Sequence, residues 1–420
     1  MKKNIKYFFS FILGVVVIVY ILELLVTIFL PSKINVHINL NQLRYNEAQK
    51  MNAYYDTRNI KQAFLEEKEK LPDLAPKYLF LFYLEKTFLL EGIQKQSIKK
   101  FIETKIENKS LIPLRGPINK KTLTCNEDGK RKIANNDKNG FKNPNKIYEK
   151  KIKVFLIGDS FAEGMCQDEN NDVAGILRND FKVNAANFGV AGAGPLTSLA
   201  VLKEYAKTYK PNVVVYFYYD RNDMQDLEKE KKSFLINYLG NYDQNLINRS
   251  LETQKFLNEY EDLVHEIIKS VNLENKEYYK AQNELEKKTK IQVFKDFVEL
   301  QGIKNIVFSK SSFKNSHKID ENLFSDILIE MKSEIESWDG RLIFVYLPDW
   351  GRFYQKYSFA NFFHKKKIES IVKSQSIDYL DMVKEFKKEN NPIRFFPFGI
   401  YGHYTRDGYN LIAKNLIKIF

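Results

Sequence analysis

The chain is 420 residues long, 44% hydrophobic and 14% aromatic with charge spread through it, which excludes a disordered or collagen-like protein and leaves enough apolar mass for a sizeable core. Its formal net charge of +13 comes from lysines scattered along the chain, as at Lys150 to Lys153 and Lys365 to Lys367, with no nucleic-acid motif beside them, so no nucleic-acid partner is expected. There is no cysteine cluster, His-x-x-x-His pair, phosphate loop or dinucleotide fingerprint, so neither a metal nor another cofactor is expected.

From Tyr7 to Leu30 the residues are nearly all apolar, broken only by Ser10, Gly14, Glu23 and Thr27, which is long enough to cross a hydrocarbon core of about 30 Å as a helix. Pro31 closes the run without an Ala-x-Ala-like cleavage site, so it reads as an uncleaved anchor rather than a signal peptide. Lys2, Lys3 and Lys6 precede it; the positive-inside tendency then keeps the N-terminus in the cytoplasm and exports everything after Ser32. Glu23 is costly in lipid: it marks a helix partner or reaches the outer interface. Residues 1–32 thus read as cytoplasmic tip and anchor. Residues 33–150 read as a membrane-proximal helical lead-in, periodic over Asn41 to Leu71 and Pro76 to Leu90, followed by a loop-like stretch from Asn126 to Asn145. Cys125 and Cys166 fit one disulfide of an exported domain, or two unrelated buried thiols.

After Tyr148 the pattern changes to short β-rich runs separated by helix-like segments, which predicts an α/β fold with a mainly parallel sheet over 151–420. The runs are Val154 to Ile157, Val183 to Asn187, Val213 to Tyr218, Leu342 to Leu347 and Ile377 to Leu380. Between the third and fourth lies a Lys-, Glu-, Leu- and Tyr-rich stretch, Gln225 to Ser337, longer than a crossover helix needs; it reads as a helical insertion forming a lid or docking surface.

In open parallel sheets ligands bind beyond the carboxyl ends of the strands. The first run ends in Gly158-Asp159-Ser160-Phe161, a serine at a strand-to-loop turn. Alone it is also an ordinary turn. The second leads into the small-residue loop Asn187-Phe188-Gly189-Val190-Ala191-Gly192-Ala193-Gly194-Pro195, whose amides can face an anion. The third ends in Tyr219-Asp220-Arg221-Asn222-Asp223, where Asn222 offers an amide to developing negative charge or caps a helix. Tyr401-Gly402-His403-Tyr404 precedes a C-terminal amphipathic helix from about Asp407 to Ile419. The other histidines, His37, His265, His317 and His364, follow no strand end, so His403 is the natural base for Ser160.

Together these blocks resemble the SGNH or GDSL hydrolases over roughly Lys153 to Phe420, with the motifs in the same order. The resemblance implies a flavodoxin-like three-layer α/β/α sandwich, Ser160 as nucleophile, Gly192 and Asn222 as oxyanion donors and His403 as general base. The stretch from Cys125-Asn126-Glu127 through Gly158-Asp159-Ser160-Phe161 to Gly164-Met165-Cys166 also resembles membrane-anchored bacterial members, which favours the disulfide. Two positions depart from the family pattern. Asp220 stands where a glycine is usual, which crowds the loop of Asn222, and Ile400 stands where the acid of Asp-x-x-His belongs. A main-chain carbonyl, Asp407 or Asp381 is then left to orient His403. The expected function is a single-pass, extracytoplasmic serine esterase acting on an O-acyl group of an envelope glycan or lipid. The alternatives are an O-acyltransferase modifying an exported polysaccharide beside a membrane partner protein, and a non-catalytic glycan-binding protein, for which Ile400 is the main argument.

Overall fold

The computed structural model describes residues 2–29, 40–78, 94–108, 110–270, 294–295, 297–300, 303–304, 320–354 and 364–420. The chain divides into two compact units, Met1–Asn39 with Lys269–Lys318, and Leu40–Ile268 with Ile319–Phe420.

In the smaller unit, helix α1 runs over Lys2–Phe29. Phe9, Phe11 and Leu13 are well exposed. Glu23, by contrast, is buried and accepts the Ile303 N–H at 2.7 Å, and Tyr20 donates to the Val298 carbonyl at 3.1 Å. The partner of Glu23 is therefore backbone from the segment read as an insertion. Among the described residues no helix is long and apolar enough to cross a membrane, so the expected span remains a proposal; Leu30 and Pro31, where it was read to end, lie outside the described residues.

The larger unit opens with helices α2 (Leu40–Lys50) and α3 (Ile60–Lys70). Asn59 and Gln62 start α3 with a capping box, each side chain bonding the other's backbone N–H. Strand β1 (Leu74–Ala75), helix α4 (Gln94–Glu107) and strands β2 (Lys121–Leu123) and β3 (Ile133–Asn135) follow. The three strands form a small mixed sheet, which sequence reading left out because two or three residues are too few to show an alternating pattern. Of the helix read over Pro76 to Leu90, residues 76–78 are not helical and the rest lie outside the described residues.

The main sheet holds β4 (Val154–Gly158), β5 (Ala185–Asn187), β6 (Val213–Tyr219), β7 (Arg341–Leu347) and β8 (Asp378–Asp381). These are the five runs expected, all parallel, in the order β5-β4-β6-β7-β8. Counted within the sheet this is 2-1-3-4-5, the flavodoxin-like order. Helices on both sides explain why the strands read as continuous apolar runs. The helices are α5 (Ser160–Glu163), α6 (Val173–Asn179), α7 (Pro195–Val201), α8 (Asp223–Glu230), α9 (Ser250–Ser270), α10 (Glu321–Glu336), α11 (Lys365–Ser374), α12 (Met382–Lys387) and α13 (Arg406–Ile417).

Strand alternation splits the core into two layers. Phe155, Tyr216 and Phe344 pack with Leu199 of α7, Met331 of α10 and Ile368 of α11. Leu156, Phe217 and Val345 pack with Ile176 of α6, Phe386 of α12 and Ile412 of α13. Burying one such phenylalanine contributes roughly 1.5–3 kcal/mol. The stretch 225–337 is not insertion throughout: α8 and α10 belong to the sandwich, since the chain must recross the sheet between β6 and β7. Its α9 instead joins the lead-in, where Phe256, Tyr260 and Val264 pack with Phe64, Ile98 and Ile102. Arg115, from the same lead-in, donates to the Ser250 carbonyl at 2.8 Å and to Thr253 Oγ1 at 2.6 Å.

Candidate active site

Strand β4 ends at Gly158 with φ 141°, where a Cβ would lie 2.6 Å from the Phe217 carbonyl oxygen. Only glycine lets the chain turn there beside β6. Asp159 caps the short α5, its Oδ1 accepting the Phe161 N–H at 2.8 Å, and Ser160 stands half-buried at the head of that turn.

The structure brings His403 to it from the loop before α13: Nε2 lies 2.9 Å from Ser160 Oγ. The Phe161 ring, 4.7 Å away centre to centre, flanks the imidazole. Its other nitrogen, Nδ1, faces Glu127 Oε1 at 3.2 Å, while Glu127 Oε2 accepts the His403 backbone N–H at 2.6 Å. With the proton on Nδ1, Nε2 is an acceptor for the Ser160 hydroxyl, the arrangement a general base needs.

Glu127 is the group sequence reading missed. Ile400 carries no acid, Asp381 is engaged at the N-terminus of α12 and with Lys365 at 2.5 Å, and Asp407 sits in the first turn of α13. The acid arrives instead from the lead-in, and three features hold it. Arg44 of α2 pairs with Glu127 at 3.3 Å and donates to the Tyr401 carbonyl at 2.7 Å. Gly402 leaves room, since a Cβ there would lie 2.6 Å from Glu127 Oε2. Cys125, two residues earlier, is bridged to Cys166 with the Cα atoms 5.4 Å apart, within the usual range. The bridge also touches His403, with Cys166 Sγ 3.1 Å from Nδ1. Both sulfurs lie near His403, but joined to each other they offer no thiolate to a metal.

Burial pushes the His403 pKa down, yet the Glu127 charge and hydrogen bond outweigh it and hold it above the ordinary histidine value. Burial likewise raises the Glu127 carboxyl, but His403 and Arg44 bring it below the usual carboxylate range. The pair is thus set up with Glu127 ionised and able to stabilise an imidazolium.

Gly192, with φ 84°, lies in the loop after β5. Its neighbours' amides are committed: Val190 to the Gly158 carbonyl at 2.9 Å, Ala191 to Glu163 Oε2 at 2.9 Å, Ala193 to the Val190 carbonyl at 2.9 Å and Gly194 to Glu230 Oε1 at 2.7 Å. The Gly192 N–H meets no acceptor among the described residues. Asn222, at the start of α8, gives one N–H to Asp226 Oδ2 at 2.7 Å, which fixes the amide plane, and its side chain also favours the Asp159 carboxylate. Asp220 does not crowd this loop: buried, it is held by Arg352 and by the Tyr346 hydroxyl at 2.6 Å. Ser160, Gly192, Asn222 and His403 are all half-buried; Ser160, Gly192 and Asn222 follow the carboxyl ends of β4, β5 and β6, and His403 is in hydrogen-bond contact with Ser160.

Among solved structures, the chain is similar to a protein of the G-D-S-L family from Desulfitobacterium hafniense DCB-2, at 14% identity and TM-score 0.32, covering 64% of this chain and 99% of that one. It is also similar to a GDSL-like lipase from Bacteroides thetaiotaomicron VPI-5482, at 12% identity and TM-score 0.32, covering 64% of this chain and 88% of that one. No family model and no curated protein sequence matches the chain.

Proposed function

We propose that this protein is a serine esterase or acyl hydrolase. The observation that carries the reading is the continuous chain from Ser160 Oγ to His403 Nε2 at 2.9 Å and from His403 Nδ1 to Glu127 Oε1 at 3.2 Å. Ser160 Oγ attacks the ester carbonyl carbon as its proton passes to His403 Nε2. The Ser160 and Gly192 amides and the Asn222 side chain receive the oxyanion. The tetrahedral intermediate collapses, the bond to the alcohol oxygen breaks, and His403 returns the proton to that leaving oxygen. Water, deprotonated by His403, then cleaves the acyl-serine bond and regenerates the hydroxyl. Glu127 keeps the imidazole in the productive tautomer and stays ionised throughout.

The substrate in this reading is an O-acyl group on an envelope glycan or lipid, met outside the cytoplasm by a chain anchored through Tyr7 to Leu30. The disulfide supports an oxidising compartment. The exposed phenylalanines of α1 and the lysines before them support an anchor oriented with its N-terminus inside. Ile400, the main argument for a non-catalytic protein, loses weight once Glu127 stands at Nδ1. The full-length protein in detergent is expected to hydrolyse short-chain aryl esters and Ser160→Ala to abolish it; equal rates in the two would refute the assignment.

A further inference from the structure

Arg221 is placed to do work that the hydrolytic chemistry does not require. It lies between β6 and α8, directly before Asn222, at the carboxyl edge of the sheet. Its side chain is 53% exposed, and its guanidinium carbon lies 4.5 Å from the centre of the Tyr401 ring. Tyr401 is two residues before His403, and its carbonyl accepts from Arg44, which also pairs with Glu127. The stack orients the guanidinium on a ring two residues from His403.

Arg221 differs from the other arginines near the site. Arg44 is 7% exposed and committed to Glu127 and the Tyr401 carbonyl. Arg352 is 9% exposed and committed to Asp220. Arg221 has one long contact, 3.5 Å to Asp349 Oδ2, an oxygen that already accepts the Tyr219 hydroxyl at 2.8 Å. Most of its fork of donors therefore faces solvent. Burial raises the Asp159 and Asp223 carboxyls above their ordinary range and Asp220 is held by Arg352, which leaves Asp349 as the carboxylate in contact with Arg221. The chain's net charge of +13 also favours approach of an anion.

We infer that Arg221 is a specificity residue that receives a carboxylate carried by the substrate close to its scissile ester, as in an O-acylated sugar acid. This deepens the esterase reading and rests on Ser160 as the centre of the site. The planar, two-oxygen face of a carboxylate matches the guanidinium fork.

The test separates recognition from turnover. Full-length protein with Ser160→Ala is titrated by ligand-observed NMR with 3-acetoxybenzoate and 3-acetoxybenzamide, which share a shape and differ in charge. The carboxylate is expected to bind about tenfold more tightly at low salt, with the gap narrowing as ionic strength rises. Adding Arg221→Met brings the ratio to about one, whereas Arg221→Lys, a charge without the fork, retains part of it. Equal binding of the two probes, or a preference that survives Arg221→Met, overturns the inference. Turnover of uncharged phenyl acetate by the unmodified protein distinguishes the two claims. Turnover without an anion preference removes the role of Arg221 and leaves the esterase. An Arg221-dependent preference without turnover removes the esterase and leaves the anion site.

Discussion

The two halves of the proposed catalytic constellation are built differently. Ser160, Gly192 and Asn222 sit where β4, β5 and β6 end, on loops whose positions follow from strand periodicity, and a rigid parallel sheet holds them in register. Glu127 sits in a polar loop outside that sheet, held by a disulfide, an arginine and the space over a glycine. In the proposed mechanism the sheet supplies nucleophile and oxyanion donors as part of its fold, while the orienting acid is delivered by cross-links that can be cut one at a time.

Cutting the sheet side has the largest effect. Ser160→Ala is expected to lower kcat for short-chain ester hydrolysis by roughly a million-fold, the scale of the loss when subtilisin is deprived of its nucleophile, with the fold intact by circular dichroism. Glu127→Gln removes the charge while keeping the shape, and kcat should fall by roughly 10³ to 10⁴, the scale set by the acid of the serine proteases. A loss under tenfold would mean that His403 is oriented by something else. Asn222→Ala, read in single-turnover kinetics, should cost about 10² to 10³ in the chemical step. Asp226→Ala, which frees the Asn222 amide to rotate and also removes the ion pair with Lys229 at 2.8 Å, should cost less. A result as large as that for Asn222 would give Asp226 a role beyond positioning.

The disulfide tests the delivered half from another side. It closes a loop spanning a sequence separation of 41, for which chain-entropy arguments give about 4 kcal/mol. The Cys125→Ser, Cys166→Ser double variant should lose stability of that order in urea unfolding. It should also lose activity by about tenfold, because Glu127 then loses its covalent tether and is held by Arg44 and the His403 backbone N–H; full activity in a destabilised protein would show that these contacts suffice.

Much of this was legible in the residues. All five strands of the main sheet were legible as short runs; Ser160, Gly192 and Asn222 followed from asking what comes after the first three, and His403 from its place before the last helix. The small sheet of β1, β2 and β3 was not legible, because its strands are too short to carry a period. Nor was the division of 225–337 among three destinations, since helical spacing records an apolar face and not the surface it meets. Glu127 was legible in principle. Cys166 lies six residues after Ser160, so once Cys125 is paired with it, whatever follows Cys125 must lie near the nucleophile. The adjacent Asn126-Glu127 was then the place to seek the acid missing at Ile400.

The central claim is that Glu127 acts on His403, and the pH dependence of kcat/KM for a neutral ester tests it most directly. Hydrolysis needs neutral His403, and Glu127 holds the folded-state pKa of that histidine above its ordinary value. The acid limb of the unmodified enzyme should therefore lie above the pH at which an ordinary histidine titrates. Glu127→Gln withdraws the charge that stabilises the imidazolium, so the pKa falls and the limb should move to lower pH while the plateau drops. A limb that stays in place, or moves upward, with an undiminished plateau would contradict the account.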